Sequence, residues 1–517
     1  MPDDVKIKLP DYEKSGVNMC PGHGTGGRKP TNAALKQLAG HGDPGMFGRM
    51  FAHLPPLDVP DSKLQALAAA MLDPNPDDGT LGNDNIPAGF TYLGQFVDHD
   101  ITLDLTSLSD KKRDPLGLEN FRTPALDLDS IYGLGPDGSP HLYARNPEEP
   151  SMVGPKLLIG KNITVPFGNV QGDFENDLPR GPHGMALIGD PRNDENLLVA
   201  QTHLTFMKFH NTVCDMLAAE GTGQGELFAK ARQTVMWHYQ WMILHDFVER
   251  LCGEGTVARI LHDGRKHYRF RKTPYMPVEF SVAAYRFGHS MVRQTYSHNR
   301  VFPDIGFDLL FGFTGLSGQI IGDLAPEQPT APLPVSQLPS NWIIDWRRFH
   351  ELDTPAGTPD FTFNLSRKID PRLVAELHSL PNGGGDLAFR NLKRGVMLQL
   401  PSGQAVAEEI GVANPLTPDE IATGTDGEVA KEQGLHEATP LWYYILKEAQ
   451  VREDGKRLGP VGATIVAEVL VGLVHGDHES YLWQKGTDWT PTLPSQTAGT
   501  FHMADLLRLV DEINPIG

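Results

Sequence analysis

The segment from about Ala229 to Leu251 constrains this chain most. It carries Val235, Trp237, Tyr239, Trp241, Ile243, Leu244 and Phe247, which make it apolar nearly all round as a helix. Such a helix must be wrapped on every side by other elements. A second apolar helix, about Val461 to Val474 (VGATIVAEVLVGLV), makes the same demand. From about Val199 to Leu217, Leu204, Met207, Phe209, Val213, Met216 and Leu217 recur mostly at three- and four-residue steps, giving an amphipathic helix suited to the wrapping. β-Branched runs with strict alternation are scarce. The 54 Gly and 42 Pro among 517 residues concentrate between the helical segments. The expectation is a mainly α fold: a large helical domain with long irregular loops and little β-structure, over 86–517, preceded by a loop-rich extension over 1–85.

Composition narrows the functions. Lys+Arg 45 against Asp+Glu 65 gives a net charge of −20, which repels phosphate backbones, and no basic block overcomes it. Nucleic acid is therefore not an expected partner. No run approaches the roughly 18 apolar residues of a membrane span. Met1 to Lys14 lacks the basic and apolar regions of a secretory signal, so the expectation is cytoplasmic residence or export without a standard leader. Cys20, Cys214 and Cys252 are too few and too far apart for a disulfide framework or a zinc knuckle. Residues 15–30 are Gly-rich, but no Gly-Lys-Ser/Thr follows, and 73–85 imitate an EF-hand loop without its glycine or closing Glu. Both read as surface segments. Pro326, Pro329, Pro332, Pro334 and Pro339 mark an extended loop.

Chemistry gathers in five short segments. Gly94-Gln95-Phe96-Val97-Asp98-His99-Asp100 reads as helix entered after Pro87 and Gly89. Gln95 and His99 then share a face, while Asp98 and Asp100 diverge by about 200°. In Gly189-Asp190-Pro191-Arg192-Asn193-Asp194-Glu195, Asp190 and Pro191 suit an N-cap and first turn, with Arg192 and Glu195 facing one way. The others are Tyr285-Arg286-Phe287-Gly288-His289, Arg390-Asn391-Leu392-Lys393-Arg394-Gly395, and Thr123-Pro124-Ala125-Leu126-Asp127-Leu128-Asp129 before Tyr132-Gly133. Singly, each reads equally as structure: a packed histidine, a surface Arg-Glu pair, a solvated acidic turn.

Together, in this order, they resemble the animal-type haem peroxidases, the peroxidase–cyclooxygenase superfamily that includes myeloperoxidase, lactoperoxidase and bacterial members. The likeness runs from about Pro87 to Val474, with about Ser297 to Asn382 carrying no motif of the family. It implies that residues 86–517 are the peroxidase domain. It implies His99 as the base that accepts a proton from hydrogen peroxide, a task suited to imidazole, with Arg192 polarising the peroxide bond and Gln95 beside them. A ferryl intermediate would then oxidise small reductants: phenols, iodide, thiocyanate or bromide. His289 would bind the haem iron, with Asn391 holding its second nitrogen, while Arg286 and Arg394 would reach the propionates. Where the family continues Arg-Asp-His-Gly-Leu-Pro, this chain has Val396-Met397-Leu398-Gln399-Leu400-Pro401, which weakens the case for Arg394. Asp98 and Glu195 match the residues that ester-link the haem. Asn196 replaces the Met that forms a third, sulfonium link.

The resemblance also implies a Ca²⁺ site made by Asp100, Thr123, Ala125 through its carbonyl, Asp127 and Asp129. Asp129 stands where the family has Ser, and the added carboxylate is expected to raise affinity. His203 and His210 read as packing or capping residues, and His475, His478 and Glu479 as a polar loop. Two rival functions stay open. One is a fatty-acid dioxygenase of the same superfamily, which would place a radical-forming Tyr where this chain has Arg286, with Tyr285 one position earlier. The other is a haem-free, calcium-binding scaffold or adhesion protein. The reductant and the oligomeric state are not encoded in any motif.

Overall fold

The structure is a computed structural model that describes residues 47–75, 82–102, 122, 124–165, 167–181, 184–271, 273–314, 319–321, 334–335, 337–354, 357, 361–380 and 385–517. Among these, helices dominate, and the strands form isolated small pairings: Gly82–Pro87 with Leu365–Arg367, Tyr143–Arg145 with Val153–Leu157, and a three-stranded antiparallel patch of Phe313–Thr314, Gln319–Ile321 and Pro334–Val335. The mainly α expectation is met. The Gly-rich arm at 15–30, Cys20 and most of the proline-rich loop lie outside the described residues.

Seven helices carry the argument: α1 (Asp61–Ala70), α2 (Gly89–Ile101), α3 (Leu197–Ala219), α4 (Gln224–Met242), α5 (Leu387–Met397), α6 (Leu441–Glu453) and α7 (Pro460–Gly476). The apolar segment that opened the analysis is α4 and its continuation, Ile243–Val248 in π geometry and then Glu249–Cys252. A π turn inserts one residue and re-aims the side chains after it, a device common beside functional sites. α7 buries Val461, Ile465, Val466, Val469, Leu470 and Leu473 at helical spacing. Its one buried carboxylate, Glu468, accepts from the backbone N–H groups of Lys266, His267 and Tyr268, satisfying a charge that would otherwise be costly there. Gly472 lets Tyr268 lie against the helix, since a Cβ would meet that ring at 2.5 Å.

The core is one continuous cluster. α2 is fixed in it by Phe96, whose ring stacks on Phe206 of α3 at 4.7 Å between centroids and meets Tyr239 of α4 edge-on. α3 starts where Asn196 accepts from the Val199 N–H at 3.0 Å, an N-cap that satisfies an otherwise orphaned donor. α1 buries Leu64, Leu67 and Ala68 against α5 and belongs to the same core. Among the described residues no helix is long and apolar enough to cross a membrane.

Candidate active site

α2 turns its apolar residues into the core and its polar residues in two other directions, as the helical spacing predicts. His99 is buried, and its Nδ1 lies 2.7 Å from Asn193 Oδ1. Asn193 Nδ2 in turn donates to His203 Nδ1 at 2.9 Å. An amide oxygen can only accept, so the His99 proton sits on Nδ1 and the Nε2 lone pair is bare. Burial, with the Arg192 charge beside it, pushes the His99 pKa down to about 3, so the ring is neutral. Nε2 faces Glu195 Oε1 at 3.6 Å. Gln95 Nε2 donates to the same Glu195 oxygen, and Asn196 Nδ2 donates to Gln95 Oε1 at 3.0 Å. Glu195 is 33% exposed, yet burial raises its pKa to about 7 against the lowering effect of Arg192. A group that water can touch but poorly solvate lines an internal cleft. Asp98 lines it too: burial raises its pKa, and Thr102 Oγ1 donates to it at 2.9 Å.

Arg192 occupies a 3₁₀ turn, Pro191–Asp194, whose N-cap is Asp190, as the sequence suggested. Its Nε donates to Asp190, and its Nη2 to Asp190 Oδ2 at 2.7 Å, to the His99 carbonyl at 2.9 Å and to the Thr102 carbonyl at 2.6 Å. Nε and Nη2 thus tie the guanidinium to the end of α2. Nη1 is the donor left for a ligand. Burial alone would raise the Asp190 pKa, but Arg192 and Arg122 hold its carboxyl below the usual range.

His289 lies in a 3₁₀ helix, Ala284–Met291. The 3₁₀ helix meets α2 through Tyr285, whose hydroxyl donates to the Gly94 carbonyl at 3.2 Å. A Cβ on Gly288 would enter open space, so room adjoins His289. Burial and the Arg286 and Arg390 charges lower its pKa to about 3, leaving a neutral imidazole. Asn391 of α5 lies against its Nδ1. Its Nδ2 faces His289 Nδ1 at 2.9 Å while Arg286 Nη1 donates to its Oδ1 at 2.5 Å. A charged donor outcompetes a neutral one for the amide oxygen. For His289 to offer Nε2 to iron its proton must sit on Nδ1, so the amide must turn and Arg286 must release it. Arg394 is buried one turn further along α5.

The acidic loop meets α2 on its other side. Asp100, Asp127 and Asp129 each bring an oxygen to within 4.8 Å of the others. Asp100 Oδ2 accepts from the Leu128 N–H and the Tyr239 hydroxyl, both at 3.3 Å. Asp100 Oδ1 and Asp129 Oδ2 are buried without a hydrogen-bond partner. Two orphaned carboxylate oxygens in an all-oxygen pocket fit a hard divalent cation. Burial and mutual repulsion raise the Asp100 and Asp129 pKa values well above the usual range, the Arg122 charge opposing at both. Ala125 is buried in the same loop, and Thr123 lies outside the described residues. One feature changes the expectation for Asp129: Arg122 Nη1 donates to its Oδ1 at 2.9 Å, offsetting the charge that replaces Ser.

Besides His203, which reads as packing or capping and is bonded to Asn193, three further participants lack a role in the sequence reading: Asn193, Asp190 as the anchor of Arg192, and Arg122. All three lie in or beside the quoted motifs, but their roles are set by contacts between segments. His210 bonds to the Tyr132 hydroxyl and the Pro155 carbonyl, a packing role. His478 stacks on Trp483, and Glu479 pairs with Arg232.

Residues 104–303 match the family model of the animal haem peroxidase. Over that stretch the chain is similar to the animal haem peroxidases. Two peroxidase-family relatives are the peroxidasin homolog pxn-2 of Caenorhabditis elegans, 23% identical over 70% of this chain and 26% of that one, and the chorion peroxidase of Drosophila melanogaster, 28% identical over 23% and 17%. The dual oxidase of Drosophila melanogaster is 25% identical over 26% of this chain and 9% of that one. The chain therefore spans 26% or less of the length of these relatives. The peroxidase fold is shared with Peroxidase A from Dictyostelium discoideum, at TM-score 0.57 and 14% identity over 91% of this chain and 94% of that one. It is shared equally with the fatty acid alpha-dioxygenase of Oryza sativa, at TM-score 0.56 and 15% identity over 91% and 80%.

Proposed function

We propose that this chain is a haem peroxidase that reduces hydrogen peroxide and oxidises small reductants, either phenols or iodide, thiocyanate and bromide. The observation that carries the reading is the state of His99: neutral, its Nδ1–H fixed by Asn193, and its Nε2 lone pair bare beside a cleft. A neutral imidazole with an unprotonated Nε2 can accept a proton. His99 Nε2 would take the proton from one oxygen of hydrogen peroxide and hand it to the other. Arg192 Nη1 donates to the oxygen that gathers negative charge, and Asp190 keeps the guanidinium from moving as it does so. Gln95 orients Glu195 towards His99.

His289 would hold the haem iron through Nε2, Asp98 and Glu195 would form its ester links, and Arg286 and Arg394 would meet its carboxylates. When bound, the haem supplies the iron that accepts the peroxide oxygen and stores its oxidising equivalents. Asn196 carries no sulfur, so no sulfonium link forms. Asp100, Thr123, Ala125, Asp127 and Asp129 would hold Ca²⁺, fixing the end of α2 that carries His99. Residues 86–517 would carry the catalytic residues, with α1 of the preceding 1–85 packed into the same core. The dioxygenase reading is less well supported: Arg286 stands where its radical-forming Tyr would be and is bonded to Asn391, while Tyr285 is bonded to the backbone of α2.

The test is a visible spectrum of haem-supplied protein before and after a few equivalents of peroxide, followed by extraction with acidic organic solvent. A ferric Soret band that changes with peroxide, and haem that stays with the protein, support the peroxidase and its esters. Failure to take up haem sinks the enzyme reading and leaves the calcium-binding scaffold.

A further inference from the structure

Arg122 is fully buried, and its guanidinium spans two carboxylates that belong to different sites. Nη1 donates to Asp129 Oδ1 at 2.9 Å, in the cation pocket. Nη2 donates to Asp190 Oδ2 at 2.5 Å, and Nε to the same oxygen at 3.1 Å. Asp190 Oδ2 is also the oxygen that Arg192 Nη2 holds at 2.7 Å. One oxygen is thus shared by two arginines, one reaching back to the cation pocket and the other forward to the cleft. From this juxtaposition we infer that Arg122 is a positioning residue that couples occupancy of the cation pocket to the placement of Arg192.

The charges show why. Arg122 acts on Asp129 and Asp190 by direct contact and on Asp100 and Asp127 through its charge, while Arg232 opposes and Asp477 adds to the negative charge at Asp127. Without the cation, Arg122 is the counter-charge of Asp129. A cation on Asp129 competes for its electron density and leaves Arg122 to Asp190, whose hold on Arg192 then weakens. Linkage makes the effect reciprocal: whatever frees Asp190 from Arg192 must change cation affinity by the same factor. Removing Arg192 gives Asp190 wholly to Arg122, draws Arg122 off Asp129, and tightens the pocket. This route runs through Arg122 and is separate from the adjacency of Asp100 and His99 in sequence.

The inference rests on the cation reading above, and the experiment separates the two. The full chain, stripped with a chelator, is titrated with CaCl₂ by calorimetry, so the readout is cation affinity and not turnover. Arg122→Met removes a positive charge from the pocket wall and is expected to tighten Ca²⁺ binding by about tenfold or more. Arg192→Leu is expected to tighten it about fivefold when Arg122 is present, at the low end of ordinary coupling energies, and less than twofold in the Arg122→Met background. Such non-additivity is the signature of a mediated contact. Arg122→Lys, a compact charge that reaches one carboxylate at a time, should keep the fold and lose the coupling, which covers the case where Arg122→Met does not fold. Equal effects of Arg192→Leu in all three backgrounds would overturn the inference and leave the cation site standing. No Ca²⁺ binding by the unaltered chain would overturn both.

Discussion

His99 and His289 are each neutral and each met at Nδ1 by an asparagine, yet the two amides are turned opposite ways. Asn193 gives His99 its oxygen, because its nitrogen is occupied by His203. Asn391 gives His289 its nitrogen, because its oxygen is occupied by Arg286. The second neighbour of each amide therefore decides the chemistry of the imidazole. His203 leaves His99 ready to accept a proton, whereas Arg286 keeps His289 from presenting a lone pair at Nε2 until the guanidinium moves. The His99 side is preorganised to accept a proton, whereas the His289 side is held in the other sense by Arg286.

Breaking the imidazoles themselves should give the largest effects, and unequal ones. His99→Leu is expected to retain haem and slow the peroxide-dependent change of the Soret band by roughly 10²–10⁴-fold, the usual worth of a general base. His289→Leu should lose haem on gel filtration, read as the ratio of haem to protein. Equal haem retention with equal loss of rate would erase the distinction between the two sides.

Smaller effects should follow from the amides, because they act through the rings. Asn193→Leu frees the His99 tautomer and should slow the peroxide step by about 10–100-fold, a typical loss for a residue that orients a functional imidazole. Asn391→Asp presents oxygen to Arg286 and His289 together. It should keep the haem and lower the iron reduction potential through a more electron-rich imidazole, measured by spectroelectrochemistry. An unchanged potential would mean that Asn391 never accepts from Nδ1–H.

These amides mark where legibility in the sequence ends. The helices could be read because apolar residues recur along one segment: Leu204 to Leu217 and Val461 to Val474 fall inside α3 and α7. The divergence of Asp98 and Asp100 could be read for the same reason, since both lie on one helix. Arg122 could not, because its partners Asp129 and Asp190 are brought to it by separate segments, and a buried arginine has no local signature. The Asn391 orientation was equally hidden, since it depends on a guanidinium 105 positions away.

Acidity offers a finer test, because the site holds groups of opposite sign. His99 and His289 have folded pKa values of about 3 against 6.5 unfolded. Their contribution to stability is complete above pH 6.5 and lost as pH falls towards 3. Glu195 is reversed: with about 7 folded against 4.5 unfolded, its contribution is complete below pH 4.5 and lost as pH rises through 7. In haem-free protein, His289→Leu should flatten the acid limb of the melting temperature. Glu195→Gln should gain on the parent between pH 4.5 and 7. Parallel profiles for all three proteins would show that these groups are as solvated in the fold as in the unfolded chain.

The smallest expected effect concerns Asn196, which joins the distal network to the scaffold. Its oxygen caps α3 at Val199, and its nitrogen holds Gln95, which holds Glu195. Asn196→Met would remove both hydrogen bonds. Loss of the cap should destabilise the fold by about 1 kcal/mol, seen as a small drop in denaturant midpoint at unchanged slope. Asn196→Asp keeps the capping oxygen but not the donor to Gln95, so it should restore stability without restoring the orientation of Glu195. If both variants unfold alike, the cap is not what Asn196 contributes; if both match the parent in peroxide rate, Gln95 holds Glu195 without its help and the distal side is less tightly organised than its hydrogen bonds indicate.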